Sequence, residues 1–272
     1  MNAKPELFRV RHFSVRNASQ EDLLATQPVY HVGQGKLGKM GILCLHGFTG
    51  TPASFYEYNR VFIDIGYSVS TPLLPGHGTT PQDLSPIKWP QWLDCAIEAY
   101  DNLRRECDKI FVIGFSLGGS LALHLASIKD DVAKLFLLSP AIKPGLGFKF
   151  YEYLFIFLTP INIQYWFQVA GDVKNPEGYE IAYKRTPINS FRELSDCFQQ
   201  TQNILPKVCT DAIIFQSKTD REIDPKGAEM VYQRINSRNK EIVWLDNSYH
   251  AITQDYCGKE VLDRILREIS LA

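Results

Sequence analysis

The apolar positions of this chain fall into two kinds of pattern that alternate along it. Ile110, Phe111, Val112 and Ile113 make an uninterrupted apolar run of strand length, as a parallel strand buried on both faces requires. Leu117, Leu121, Leu125 and Ile128 follow at helical spacing, so a strand, a sharp turn and a helix are predicted there. The same pair recurs on either side. Met40 to Leu45 is a second strand-like run. After it Phe55, Tyr58, Val61, Phe62 and Ile65 share one face of a helix predicted from about Ala53 to Ile65, with Gly66 as its stop. Val69 to Leu74 is the next strand, and Pro90 starts a helix whose Leu93, Ala96, Ile97, Tyr100 and Leu103 form an amphipathic stripe. Lys134 to Leu138, Ala212 to Gln216 and Glu241 to Leu245 complete the strands, with a helix from Lys226 to Ile235 between the last two. Leu7 to Val15 alternates and suggests an early strand at a sheet edge. Strands and helices in this order imply an α/β fold, a mostly parallel central sheet flanked by helices and wound by right-handed crossovers.

The rhythm breaks between Ala141 and Lys207. Aromatic residues crowd the first half of that stretch, with little charge between Phe150 and Ala170, whereas Pro187 to Leu205 reads as a polar helix with Leu194, Cys197, Phe198 and Thr201 facing in. Such an insertion is expected to form a cap whose underside offers an apolar pocket. Phe148, Tyr151, Phe155 and Trp166 are its expected lining, with Phe48 and Ile223 contributed by the core. A transient contact of the cap with a lipid surface is a lesser expectation, since the basic flanks of an interfacial helix are sparse. The 272 residues then read as a single domain, with core 1–140 and 208–272 and cap insertion 141–207.

Charge and cysteine usage narrow the function classes. Lys and Arg number 29 against 30 Asp and Glu, a formal charge of −1, which removes the electrostatic case for a nucleic-acid partner. Cys44, Cys95, Cys107, Cys197, Cys209 and Cys257 are scattered without metal-type spacing, so reduced thiols and no metal are expected. Met1 to Val10 carries Lys4, Glu6 and Arg9 and lacks the apolar core of a secretory signal. A cytoplasmic protein is the expectation.

The candidate chemistry lies where the central strand ends. Gly114-Phe115-Ser116-Leu117-Gly118-Gly119 has the G-x-S-x-G form of a nucleophile elbow, in which glycines tolerate a crowded turn that holds a serine hydroxyl above the sheet. Ser116 is therefore the candidate nucleophile, and the Leu117 N–H, opening the next helix, is a candidate oxyanion donor. Met40 to Leu45 runs into His46-Gly47-Phe48-Thr49-Gly50-Thr51-Pro52, a loop suited to exposing backbone N–H groups. The Phe48 N–H is assigned as the second donor. His46 and His77, each beside a glycine turn, are read as loop braces, and His124 falls on the nucleophile helix. Past Ala212 to Gln216 two aspartates compete for the role of triad acid: Asp220, and Asp224, which precedes Pro225 and suits a helix N-cap. His250, in the loop after the last strand, is the candidate base.

Together, Leu45 to Pro52, Pro75-Gly76-His77-Gly78 and Gly114 to Gly119 resemble the α/β-hydrolase superfamily, and more closely its small bacterial carboxylesterases and monoacylglycerol lipases. The resemblance runs from about Gly41 to Ile269. It implies a cap in the position of the insertion and Asp220 as the acid. The chain order Ser116, Asp220, His250 is also that of the superfamily. The implied activity is hydrolysis of short- to medium-chain acyl esters or monoacylglycerols through an acyl-enzyme, with no cofactor. A thioesterase or acyltransferase would use the same triad, and a non-catalytic ligand-binding member would keep the pocket alone. Two departures stand out. Ser217 replaces a small glycine, which should alter turn geometry rather than chemistry, and Tyr249 stands where relatives usually have glycine, which should narrow the approach to His250.

Overall fold

The computed structural model describes residues 5–11, 14–145, 165–167 and 171–272. Near the start, β1 (Phe8–Arg11) and β2 (Ser14–Asn17) lead into α1 (Gln20–Ala25), β3 (Val29–His31) and α2 (Gly35–Gly38). The predicted rhythm then sets in with β4 (Met40–Leu45), α3 (Tyr56–Ile65), β5 (Ser68–Thr71), α4 (Pro81–Leu84), α5 (Trp89–Glu106), β6 (Lys109–Phe115), α6 (Leu117–Ala126) and β7 (Val132–Leu138). Three short strands, β8 (Tyr165–Phe167), β9 (Glu180–Ala182) and β10 (Arg185–Pro187), precede α7 (Ile188–Ile204). The chain closes with β11 (Ala212–Ser217), α8 (Lys226–Arg234), β12 (Lys240–Leu245) and α9 (Gly258–Ser270).

Seven strands form the main sheet in the order β12-β11-β7-β6-β4-β5-β3. All neighbours are parallel except β3, which lies antiparallel on β5. The unbroken apolar runs are explained by which side each residue serves. Leu43, Val112, Leu135 and Ile214 pack in a core with Leu103, Leu121 and Leu125, whereas Ile42, Phe111, Phe136 and Ile213 pack in a second core with Phe62, Val261 and Ile265. Successive strand residues point to opposite faces, so a central strand covered by helices on both sides must be apolar at every position. Gly66 ends α3 with φ 107°, a left-handed stop that glycine adopts without a side-chain clash.

The N-terminal expectation needs correction. Leu7 to Val15 is not one strand at a sheet edge: β1 lies in the middle of a three-stranded sheet, pairing antiparallel with β2 on one side and with β9 on the other. Its partner comes from the segment after β8, so the alternation reported a sheet without revealing which one. The final turn of the nucleophile helix also differs, since α6 stops at Ala126 and Ile128 is exposed. No described helix is long and apolar enough to cross a membrane. All six cysteines are free.

Candidate active site

At the carboxyl end of β6 the backbone of Ser116 takes φ 52° and ψ −116°, a conformation sterically costly for a residue with a side chain. Neighbouring glycines make the turn fit. A Cβ on Gly114 would lie 2.3 Å from the Gly118 carbonyl oxygen, and one on Gly118 would lie 1.9 Å from that of Leu45. The strain is tied down by hydrogen bonds, with the Ser116 N–H donating to the Leu138 carbonyl at 3.0 Å and its carbonyl accepting from Ala141 N–H at 3.0 Å. Thr49 and Ser139, the other described non-glycine residues with positive φ, sit in the loops that follow β4 and β7. Strain therefore collects around one end of the sheet.

Two loops from distant parts of the chain meet Ser116 there. The Nε2 of His250 stands 2.9 Å from the Ser116 Oγ, and its Nδ1 stands 2.8 Å from Asp220 Oδ2. With Nδ1–H donating to the carboxylate, Nε2 is left to accept the serine proton. Asp220 is itself held: its Oδ1 accepts the N–H groups of Glu222 and Ile223 at 3.0 Å each, and its Oδ2 accepts from Gln216 Nε2 at 3.1 Å. Burial alone would push the His250 imidazole down, but the Asp220 carboxylate, joined by Glu222 and Glu180, outweighs it and raises its basicity. Asp224 goes elsewhere. It pairs with Lys143 at 2.7 Å and accepts the Lys226 N–H at the start of α8, whose N-cap is Pro225, one residue later than the sequence suggested.

The Phe48 and Leu117 N–H groups flank the same turn, and among the described residues neither donates to a protein acceptor. The Phe48 ring packs edge-on against Trp92 at 5.8 Å and tilts against Phe191 at 5.9 Å. Both loop histidines brace, as expected. Nδ1 of His46 is 2.9 Å from the Gly47 carbonyl while its Nε2 accepts the Leu74 N–H at 3.1 Å. Burial, reinforced by His77, pushes His46 down to about 3, and burial pushes His77 down to about 4. His124 lies on α6 beside the Trp89 ring, likewise pushed down to about 4 by burial.

A cavity of about 70 Å³ opens beside the serine, and Ser116 and His250 line it with Phe48, Phe191, Phe198 and Ile223. Phe48 and Ile223 were expected there. Phe148, Tyr151 and Phe155 lie outside the described residues, as does most of the stretch through which a lipid contact was envisaged. Trp166 lies in β8, where its backbone pairs with Thr186. Tyr249 does not line the cavity; the Arg221 guanidinium sits 3.7 Å from its ring centroid instead. Ser217 does more than shape a turn. Its hydroxyl donates to the Ser248 carbonyl at 2.5 Å, tying the end of β11 to the loop that carries His250.

Two carboxyl groups at the cavity were not foreseen. Glu180 and Glu222 both line it, and Glu222 Oε2 lies 3.9 Å from His250 Nε2. The other oxygen, Oε1, is shielded from water with no hydrogen-bond partner. Burial pushes Glu222 up to about 8 and raises Glu180 as well. Glu222 carried one signal in the sequence, a charged residue two positions after the acid; Glu180, far along the chain in β9, carried none. Among the described residues no group of His, Cys, Asp or Glu is arranged to hold a metal ion.

The chain is similar to several known proteins. The family described as "Serine aminopeptidase, S33" matches residues 39–256. A thermostable monoacylglycerol lipase from a Bacillus species is 35% identical over 236 residues, covering 84% of this chain and 90% of that protein. A carboxylesterase of Bacillus subtilis is 27% identical over 227 residues, with 81% and 88% covered. A solved structure from work on LipS and LipT, two metagenome-derived lipolytic enzymes, superposes with a TM-score of 0.83 at 30% identity, covering 91% of this chain and 98% of that one.

Proposed function

This chain belongs to the serine aminopeptidase, S33, family of α/β-hydrolases, and from that premise we propose that it is a carboxylic ester hydrolase working through Ser116, His250 and Asp220. The observation that carries the reading is the unbroken contact chain, 2.9 Å from hydroxyl to imidazole and 2.8 Å from imidazole to carboxylate. A serine hydroxyl is a weak nucleophile at neutral pH. His250 takes its proton as Ser116 attacks the ester carbonyl, and Asp220 fixes the tautomer and stabilises the imidazolium. The Phe48 and Leu117 N–H groups receive the tetrahedral oxyanion, an effect worth about 3 kcal/mol per donor in such sites. His250 then protonates the leaving alcohol, and a water activated by the same imidazole releases the acid from Ser116.

The substrate class follows from the walls. Phe48, Phe191, Leu194, Phe198 and Ile223 offer apolar surface to an acyl chain, which supports short- to medium-chain acyl esters or monoacylglycerols. Residues 141–207 act in this reading as a cap over a core of 1–140 and 208–272. α7 of that cap packs on α6 and α5, against the nucleophile helix. Turnover of aryl esters of graded chain length, run beside matched thioesters, an amino-acid amide and an added alcohol acceptor, tests the proposal. Ester hydrolysis should dominate and vanish in Ser116→Ala. Faster thioester cleavage or transfer to the alcohol would reassign the reaction, and activity surviving in Ser116→Ala would remove the triad.

A further inference from the structure

The segment that leads into β9 passes the acid loop and the base loop and is bonded to both. Asp172 is only 5% exposed, and its Oδ2 accepts the Arg221 N–H at 3.1 Å and the His250 N–H at 3.2 Å. Its carbonyl accepts the Ala251 N–H at 3.1 Å. The clasp is returned from the other side. Asp255 Oδ2 accepts the N–H groups of Lys174 and Tyr249, and its Oδ1 those of Asn175 and Tyr256, each at 2.8 Å.

We infer that Asp172 is a positioning residue, which sets the approach of Asp220 to His250 by joining the backbone beside the acid to the backbone of the base through one oxygen atom. The inference rests on the triad reading above. Arg221 directly follows Asp220 in the chain, so a shift at Asp172 reaches the carboxylate and the imidazole together. An ångström of displacement between reacting groups is enough to slow catalysis on the order of a hundredfold. A carboxylate suits the position because one buried oxygen serving two N–H donors forms stronger bonds when it is charged. The arrangement also couples the insertion to the catalytic loops, since Asp172 lies in the one and is bonded to the others.

Four carboxyl groups act on the imidazole: Asp220 and Glu222 from the loop after β11, Glu180 from β9, and Asp172 from the segment before it. Neutralising Asp172 therefore lowers the basicity of His250 while leaving its direct partner in place.

The test compares Asp172→Ala and Asp172→Asn, with kcat expressed per site labelled to completion by a fluorophosphonate so that only folded enzyme is counted, and Ser116→Ala, whose turnover is read per mole of folded protein. In Asp172→Ala both bonds are lost, and kcat should fall on the order of 10- to 100-fold with KM nearly unchanged. Asp172→Asn keeps an acceptor oxygen and should regain most of kcat, while the acid limb of its kcat/KM profile moves to lower pH. The inference is overturned if Asp172→Ala keeps the wild-type kcat, or if both variants lose kcat equally with the acid limb unmoved. Either result with Ser116→Ala inactive leaves the triad standing, whereas turnover in Ser116→Ala removes the triad and this inference with it.

Discussion

The nucleophile and the acid–base pair are held by opposite means. Ser116 is fixed by what adjoins it in the chain: a buried strand before it, a helix after it, and glycines at 114 and 118 whose missing side chains let the turn close. Asp220 and His250 are brought together by links between separate parts of the chain, Asp172 to both loops and Ser217 to Ser248, with Gln216 and Asp255 bracing them from a few residues away. One geometry is written in six consecutive residues, the other in contacts spanning the second half of the chain. Damage to the first should therefore act through sterics and folding, and damage to the second through alignment and proton affinity.

That contrast can be broken at several points, in descending size of effect. Ser116→Ala should remove turnover by on the order of 10⁵- to 10⁶-fold, as loss of the nucleophile does in comparable triads, and steady-state kinetics on an activated ester will read it. Asp220→Asn should cost about 10⁴-fold in kcat, because the amide no longer holds the productive imidazole tautomer. Gly118→Ala is expected to act on folding, since its Cβ would meet the Leu45 carbonyl at 1.9 Å. A loss of about 3 kcal/mol in denaturant unfolding is expected from such overpacking.

Glu222→Gln should leave the fold intact and move a pH profile. Only the neutral imidazole accepts the serine proton, so kcat/KM falls as pH drops through the His250 pKa, which Asp220, Glu222 and Glu180 hold above its ordinary value. Where Glu222 is ionised its charge favours the imidazolium, so its removal favours the neutral ring and the acid limb should move to lower pH. An unmoved limb would mean that Glu222 does not act on the base. Asp224→Asn marks the low end. Its ion pair with Lys143 is partly exposed, so kcat should be unchanged and stability lower by about 1 kcal/mol at most.

Legibility in the sequence followed the same division. β4, β6 and β7 and the helices between them could be read because burial on both faces leaves an unbroken apolar run, a pattern few loops share. Ser116 and its turn were visible for the same local reason. β3 was missed because three residues at a sheet edge are too few to show alternation. The pairing of β1 with β9 was missed because register between strands about 170 residues apart leaves no local trace. Asp220 and Asp224 both follow a strand and precede a helix, and locally only Pro225, which suits Asp224 to capping, told them apart. In the folded chain Asp220 accepts four hydrogen bonds, including one from His250, and Asp224 meets Lys143. Glu180, Glu222 and Asp172 were hidden for a related reason: a carboxylate reads as solvated surface until the fold places it beside an imidazole.

In the proposed reaction one hydroxyl, activated by His250, performs the attack. Treating the enzyme with a fluorophosphonate and mapping the adduct by peptide mass spectrometry identifies that hydroxyl. A single adduct on Ser116, formed at a rate that falls sharply in His250→Ala, is the expected result. An adduct on another residue, or equal labelling of Ser116 without His250, would contradict it.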